Sequence, residues 1–157
     1  MKTSIFLPYR HVVTLLAIIF LAACSKKDDP TPTPGISWTV DGSDMKVGAV
    51  TTPVSGTVIQ LTGYRSTTTS TSSTSAAIIF LTMPKKVGTY VLSNNNGTAS
   101  ASYGDNGVLY LDTTGTITVS NLTATSITGT FAFTGASSSS SPNSTKSITN
   151  GQFNVLL

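Results

Sequence analysis

Side chains able to do covalent or acid–base chemistry are few in this chain of 157 residues. Its only His, His11, and its only Cys, Cys24, both precede position 36, and Glu is absent altogether. Residues 36–157 therefore offer no imidazole, no thiolate and no disulfide, which excludes most hydrolytic and metal chemistry from that region. Asp, Lys, Arg, Tyr, Ser and Thr remain. Two close carboxylate pairs, Asp41 with Asp44 and Asp105 with Asp112, have the residue types for joint acid and base work. Asp41-Gly42-Ser43-Asp44 and Asp105-Asn106-Gly107 nevertheless read better as hairpin turns, because Asp, Asn and Gly tolerate positive φ. The acids are too sparse for calcium and no calcium-loop spacing occurs; no spacing supports a Ser–Lys pair built on Lys146. The expectation is a domain without catalytic residues, metal or cofactor.

Covalent chemistry is better supported near the amino terminus. Lys2, Arg10 and His11 give a polar, basic start, residues 12–20 are apolar apart from Thr14, and Leu21-Ala22-Ala23-Cys24 follows. Residues 1–23 thus read as an export signal whose apolar stretch is too short to span a bilayer comfortably. The small residues before Cys24 resemble the lipobox of bacterial lipoproteins, and that resemblance implies cleavage after Ala23 with acylation of Cys24. Several acyl chains on one Cys exceed the two signals needed for stable anchoring. Residues 24–35 then form a tether, in which alternating Pro and Thr favour an extended polyproline II spacer. Lys27, Asp28 and Asp29, close to the acylation site, resemble the surface-export signal of lipoproteins in the Bacteroidota. The location this implies is the outer membrane, lipid-anchored and facing the cell surface, with the periplasmic face as the alternative.

The formal charge of +3 falls to +1 once Lys2 and Arg10 are removed with the signal, leaving seven basic against six acidic residues. Beyond Pro34 the only cations are Lys46, Arg65, Lys85, Lys86 and Lys146, too few for a stripe that tracks phosphates, so nucleic acid is not an expected partner.

Any candidate group must be positioned by β-structure. Residues 36–157 contain 24 Thr and 20 Ser among 122, which favours strands and turns over helices. Alternation is clearest at Ile117 and Val119, and at Ile127, Phe131 and Phe133 with Thr on the opposite parity. Further strands are expected at residues 37–40, 45–50, 57–63, 76–83, 89–92, 99–103, 108–112 and 147–157. The turn residues are Asp41-Gly42, Asn96-Gly97, Asn106-Gly107 and Asn150-Gly151, with Thr113-Thr114-Gly115 linking two strand-like runs. Ile148 has even parity whereas Phe153, Val155 and Leu157 are odd, so all four face inward only if a β-bulge sits at Asn150-Gly151. Residues 76–83 are apolar almost throughout, which suggests a central strand covered on both faces, with Phe80 inward like Phe131, Phe133 and Phe153. The Ser/Thr runs 66–75 and 137–144 read as mobile hairpin loops. The resulting fold class is all-β, a single antiparallel β-sandwich or barrel of about 8–10 strands spanning residues 36–157.

Trp38-Thr39-Val40-Asp41-Gly42, Gly88-Thr89-Tyr90, Ala101-Ser102-Tyr103, Gly129-Thr130-Phe131 and Thr149-Asn150-Gly151-Gln152-Phe153 form a set. Together they resemble small uncharacterised β-rich lipoproteins of Bacteroidota, which have no established activity. The resemblance implies architecture and location rather than chemistry. Asp112-Thr113-Thr114 further resembles the acceptor sequence for protein O-glycosylation in Bacteroidota, with Thr113 as the modified residue in an expected turn.

Trp38, Tyr64, Tyr90, Tyr103 and Tyr110 could make a glycan platform, or else pack a core, with Trp38 plugging one end. The functional expectation is a membrane-anchored, noncatalytic binding or envelope-interaction domain; a glycan or a protein is a candidate ligand, and the sequence does not specify it. The alternative is a lipocalin-like periplasmic carrier, a closed barrel holding a small apolar ligand, which needs an unfilled interior.

Overall fold

Thr-rich segments punctuated by Asp-Gly and Asn-Gly pairs become ten antiparallel strands in the computed structural model, which describes residues 33–68, 74–93, 97–137 and 144–157. They are β1 (Gly35–Val40), β2 (Ser43–Val47), β3 (Ala49–Ser55), β4 (Val58–Thr68), β5 (Thr74–Pro84), β6 (Gly88–Leu92), β7 (Ser100–Asp105), β8 (Val108–Leu122), β9 (Ser126–Ser137) and β10 (Thr145–Leu156). The signal, Ala23, Cys24 and the Lys27-Asp28-Asp29 run lie outside the described residues.

The pairing order is β2-β1-β10-β9-β8-β7-β5-β4-β3, with β6 also on β8. The two strands at the ends of this path, β2 and β3, are separated only by Gly48. They therefore occupy one wall position, β2 on β1 and β3 on β4, and so bring the sheet round into a nearly closed barrel. β6 and β7 likewise share one position along β8, β6 against residues 115–119 and β7 against residues 108–111. Counted this way the wall has eight positions in meander order, which leaves little unpaired edge.

Parity decides which side chains fill the barrel, and bulges reset it. Between Ile148 and Gly151 β10 carries one residue more than β9, and Asn150 adopts φ 52°, so Ile148, Phe153 and Val155 all point inward. This is the bulge that the change of parity requires. Leu157 stays 40% exposed, beyond the last strand pair. In β8, Thr113 is an extra residue between Asp112 and Thr114, so Tyr110 and Asp112 face inward before it and Ile117 and Val119 after it. Residues 113–115 are thus a bulge inside one long strand, not the expected turn. Gly115 (φ 151°) permits this, because a Cβ there would lie 2.4 Å from the Ala132 carbonyl oxygen.

Strand β5 also departs from expectation. Ala77, Ile79, Leu81 and Met83 are buried, while Ile78 and Phe80 are half-buried on the other face. Among the described residues no second layer lies outside the barrel wall, so only one face of the strand is fully covered; Phe80 packs outward, not inward. The Ser/Thr run is shorter as a loop than its composition suggests, since residues 66–68 pair with residues 74–76. Backbone ladder bonds need no apolar side chain, and Thr suits the extended conformation. Residues 69–73 and 138–143 lie outside the described residues.

The lumen is packed with Trp38, Leu61, Ile79, Leu81, Met83, Tyr103, Ile117, Ile127 and Ile148, none more than 1% exposed. On β9 the outward positions are Thr128, Thr130, Ala132, Thr134 and Ala136, and the inward ones Ile127, Phe131 and Phe133. This apolar-in pattern is the reverse of the alternation in a membrane-spanning barrel.

Candidate functional site at the barrel mouth

Gly35 opens the barrel at one end; the β1–β2 and β7–β8 turns lie at the other. Asp41 and Asn106 hold φ 48° in those two turns, each followed by Gly, as the Asp-Gly and Asn-Gly pairs lead one to expect. Strand ends at this mouth turn Met45, Arg65, Ala77, Asp105, Val108 and Lys146 onto the same faces as the core residues Val47, Leu61, Ile79, Tyr103, Tyr110 and Ile148. Only nine charged residues follow position 35, and five of them, Asp41, Asp44, Arg65, Asp105 and Lys146, meet here.

Lys146 forms an ion pair with Asp41, and its Nζ lies 3.6 Å from Asp105 Oδ2, so β10 is tied to both turns. Asp105 Oδ1 also accepts a hydrogen bond from Asn106 Nδ2 at 2.9 Å. Across the mouth Arg65 extends from β4 toward β2, where its Nη1 lies 3.4 Å from the Asp44 carbonyl oxygen and 3.1 Å from Met45 Sδ. The β3–β4 ladder starts at Gly63, so the later part of β4 has no backbone partner from β3 and this seam stays open. A cleft of about 400 Å3 occupies it, lined by Asp44, Met45, Arg65, Ala77, Asp105 and Asn106 among others. Among the described residues the Arg65 guanidinium forms no ion pair; the two recorded pairs both use Lys146.

The carboxylates regroup relative to their sequence pairing. Asp41 faces Lys146, whereas Asp44 accepts from Thr39 Oγ1 at 2.7 Å; Asp105 lies at the rim, while Asp112 is 5% exposed within the wall. Asp44 and Asp105, far apart in sequence, share the cleft with Arg65 between their strands. Arg65 is the residue that motif reading missed. Its signal was available: a charge on the parity of Ile59 and Leu61 must point inward wherever the strand reaches an open end.

Beneath the cleft three aromatics pack in sequence. Trp38 meets Tyr103 edge-on at 6.3 Å and 72°, and Tyr103 meets Tyr110 at 6.3 Å. All three are buried, whereas Tyr64 is 53% exposed and Tyr90 donates to the Lys86 carbonyl. The convergent aromatics therefore close the mouth from below rather than offer a surface platform. Burial, and then the Asp105 charge, push the Tyr103 phenol up to about 12, while the hydrogen bond from Lys146 to Asp41 raises the lysine's pKa. Both shifts have the same stability sign. Each group keeps its proton more tightly when folded, so its contribution is complete below the unfolded value and is lost as pH rises through the folded one. Alkaline titration should therefore destabilise the barrel from about pH 10 to 12, Tyr103 contributing about 2–3 kcal/mol of the loss at 1.36 kcal/mol per pKa unit. Denaturant unfolding of Tyr103→Phe across that range should show a visibly flatter decline; an unchanged slope would contradict the assignment.

Asp112 stands where the β7–β8 ladder ends, and its Oδ1 accepts from the Ala101 backbone N–H at 3.1 Å. The carboxylate thus replaces a strand partner, although its Oδ2, like Trp38 Nε1, is buried without a hydrogen bond among the described residues. Asp112→Ala would orphan the Ala101 N–H and should cost about 1–3 kcal/mol. Asp112→Asn keeps an acceptor and should cost distinctly less in the same urea titration. Next to it, Thr113 Oγ1 donates to the Thr134 carbonyl at 3.0 Å, so modification of this hydroxyl would have to break that bond.

A second concavity, about 460 Å3, lies at the Gly35 end and includes Thr33, Lys46, Gly129 and Phe153. Among the described residues Lys46 is its one charged lining residue, and Thr33 and Gly35 lie along it, which leaves the mouth as the stronger candidate. The domain of unknown function DUF6252 matches residues 53–156. That match begins within β3, so β1 and β2, which complete the barrel wall, precede it. No curated protein and no solved structure matches the chain.

Proposed function

The chain belongs to the DUF6252 family of unknown function, and we propose that it is a surface lipoprotein of the outer membrane whose barrel is a noncatalytic binding module acting through its mouth. Acylated Cys24 would supply the anchor, and Lys27-Asp28-Asp29 the export signal. The observation that carries the binding reading is the convergence of five of nine charges on one open end, around a cleft of about 400 Å3. That volume lies within the usual range for small-molecule sites. Arg65, Asp44, Asp105 and Asn106 offer both donors and acceptors over a floor of Met45 and Ala77. Such a set suits a polyhydroxylated ligand, because planar guanidinium, carboxylate and amide groups can bond paired hydroxyls. A glycan is therefore the proposed ligand class. The apolar-carrier alternative is less well supported, since Trp38, Leu61, Leu81 and Tyr103 already fill the lumen.

The test is a panel of soluble oligosaccharides, neutral and acidic, titrated into the processed lipoprotein in micelles, alongside Arg65→Ala and Asp105→Asn. At least one sugar should bind, and Arg65→Ala should weaken it by tenfold or more, the scale of a lost charge-assisted hydrogen bond of about 1.5–3 kcal/mol. Binding that both variants leave unchanged would remove the mouth from the mechanism. Failure of the whole panel would overturn the glycan assignment.

A further inference from the structure

The charges that do not gather at the mouth are also segregated. Of the nine after position 35, Asp112 is buried, and the remaining three are all lysines: Lys46, Lys85 and Lys86. Lys85 and Lys86 form the β5–β6 turn at the Gly35 end, where Lys85 N–H donates to the Thr57 carbonyl of the β3–β4 turn. Lys46 is exposed on β2 next to Val47, which pairs with Ile36 at the start of β1. Among the described residues no acidic side chain occupies this end. Large apolar side chains are exposed at the same end: Val87, next to Lys86, is 52% exposed, Leu156 63% and Leu157 40%. Leu157 N–H donates to the Thr125 carbonyl, so the β8–β9 turn and the last residues share the same rim.

This is also the end to which the tether leads. Ten residues, Ser25 to Pro34, separate acylated Cys24 from Gly35, a reach of at most about 40 Å at full extension. With the acyl chains in a bilayer, the lysine-bearing end is where the tether joins the barrel, so it is the end held nearest the headgroups. Contact then becomes intramolecular, and a weak attraction suffices at such an effective concentration.

We propose that the Gly35 end of the barrel docks on the anionic, phosphate-bearing lipid surface that holds acylated Cys24, with Lys46, Lys85 and Lys86 against the phosphates and Val87, Leu156 and Leu157 at the headgroup boundary. The proposal rests on the acylation of Cys24. Long lysine stems can lie along apolar surface while their ammonium groups reach the phosphates. Three such lysines bias the docked state by about a hundredfold on an anionic leaflet, and the bias is lost as salt screens it. Docking at this end would direct the mouth, with Arg65 and Asp105, away from the membrane.

The experiment uses the processed full-length lipoprotein in two vesicle types, phosphatidylcholine alone and an equimolar mixture of phosphatidylcholine and phosphatidylglycerol. Flotation is scored first and backbone hydrogen exchange second. The expected result is flotation with both vesicles, with exchange around residues 85–87 and 156–157 slowed about fivefold or more only on the anionic ones. Lys85→Gln with Lys86→Gln, or 1 M salt with its screening length of about 3 Å, should abolish the difference. Equal exchange on both vesicles, with flotation intact, would overturn the docking while leaving the anchor standing. Absence of flotation with either vesicle would overturn the acylation and the docking together. Salt-sensitive flotation with the anionic vesicles alone would overturn the acylation and sustain the basic surface.

Discussion

Trp38→Ala is expected to lower the stability of the barrel by about 3–5 kcal/mol, the range for deleting a large buried aromatic. Trp38 is 1% exposed and edge-on to Tyr103, which continues to Tyr110, so the substitution would open a void under the mouth where three wall strands meet. Both the lost transfer energy and the cavity contribute, because the β1 backbone, paired on both sides, has little freedom to collapse inward. Trp38→Phe is the informative companion. It keeps most of the ring and removes an indole N–H that is buried without a partner, so its cost should stay near 1 kcal/mol. Urea unfolding followed by circular dichroism distinguishes the two. A Trp38→Ala variant within 1 kcal/mol of the natural protein would mean that the aromatic layer does not close the barrel.

Cys24→Ala should have the second large effect, on location rather than fold. If Cys24 carries two or more acyl chains, each buried methylene contributes about 0.8 kcal/mol, and the natural protein should not leave the membrane on any practical timescale. Mass spectrometry of the amino-terminal peptide should find Cys24 at the new terminus with acyl groups attached. The variant should yield no lipid-modified species and should accumulate with its leader attached. An unmodified natural terminus would refute the anchor. With the anchored protein, protease added to intact cells should remove an epitope on the barrel while a periplasmic control survives. Protection until the outer membrane is permeabilised would instead favour the periplasmic face.

Much of the fold was legible because period-two alternation survives in residues 127–134, and because Asp41-Gly42, Asn106-Gly107 and Asn150-Gly151 report turn or bulge conformations locally. Where the reading failed, the deciding interactions were distant. Nothing within residues 76–83 says that one face lines the lumen and the other lies on the outside of the wall, since that depends on closure of the sheet. Thr113-Thr114-Gly115 has turn composition, yet β9 pairs along both sides of it and makes it a bulge. The expected strand over residues 45–50 breaks at Gly48, and only closure of the sheet explains why: its halves serve different neighbours, β1 and β4. The candidate site was less legible still. Asp44, Arg65 and Asp105 come from three separate strands, and no spacing along the chain relates them. Their meeting follows from barrel closure and inward parity at an open end.

Mapping a bound oligosaccharide by amide chemical shifts on the isotope-labelled lipoprotein would show whether the mouth binds the ligand. The expected result is a cluster of perturbed amides at Ser43 to Met45, Arg65, Ala76, Ala77, Asp105 and Asn106, with the Gly35 end unchanged. Perturbations confined to Gly35, Lys46 and residues 152–154 would place the ligand at the opposite end of the barrel and rule out the mouth as its binding site.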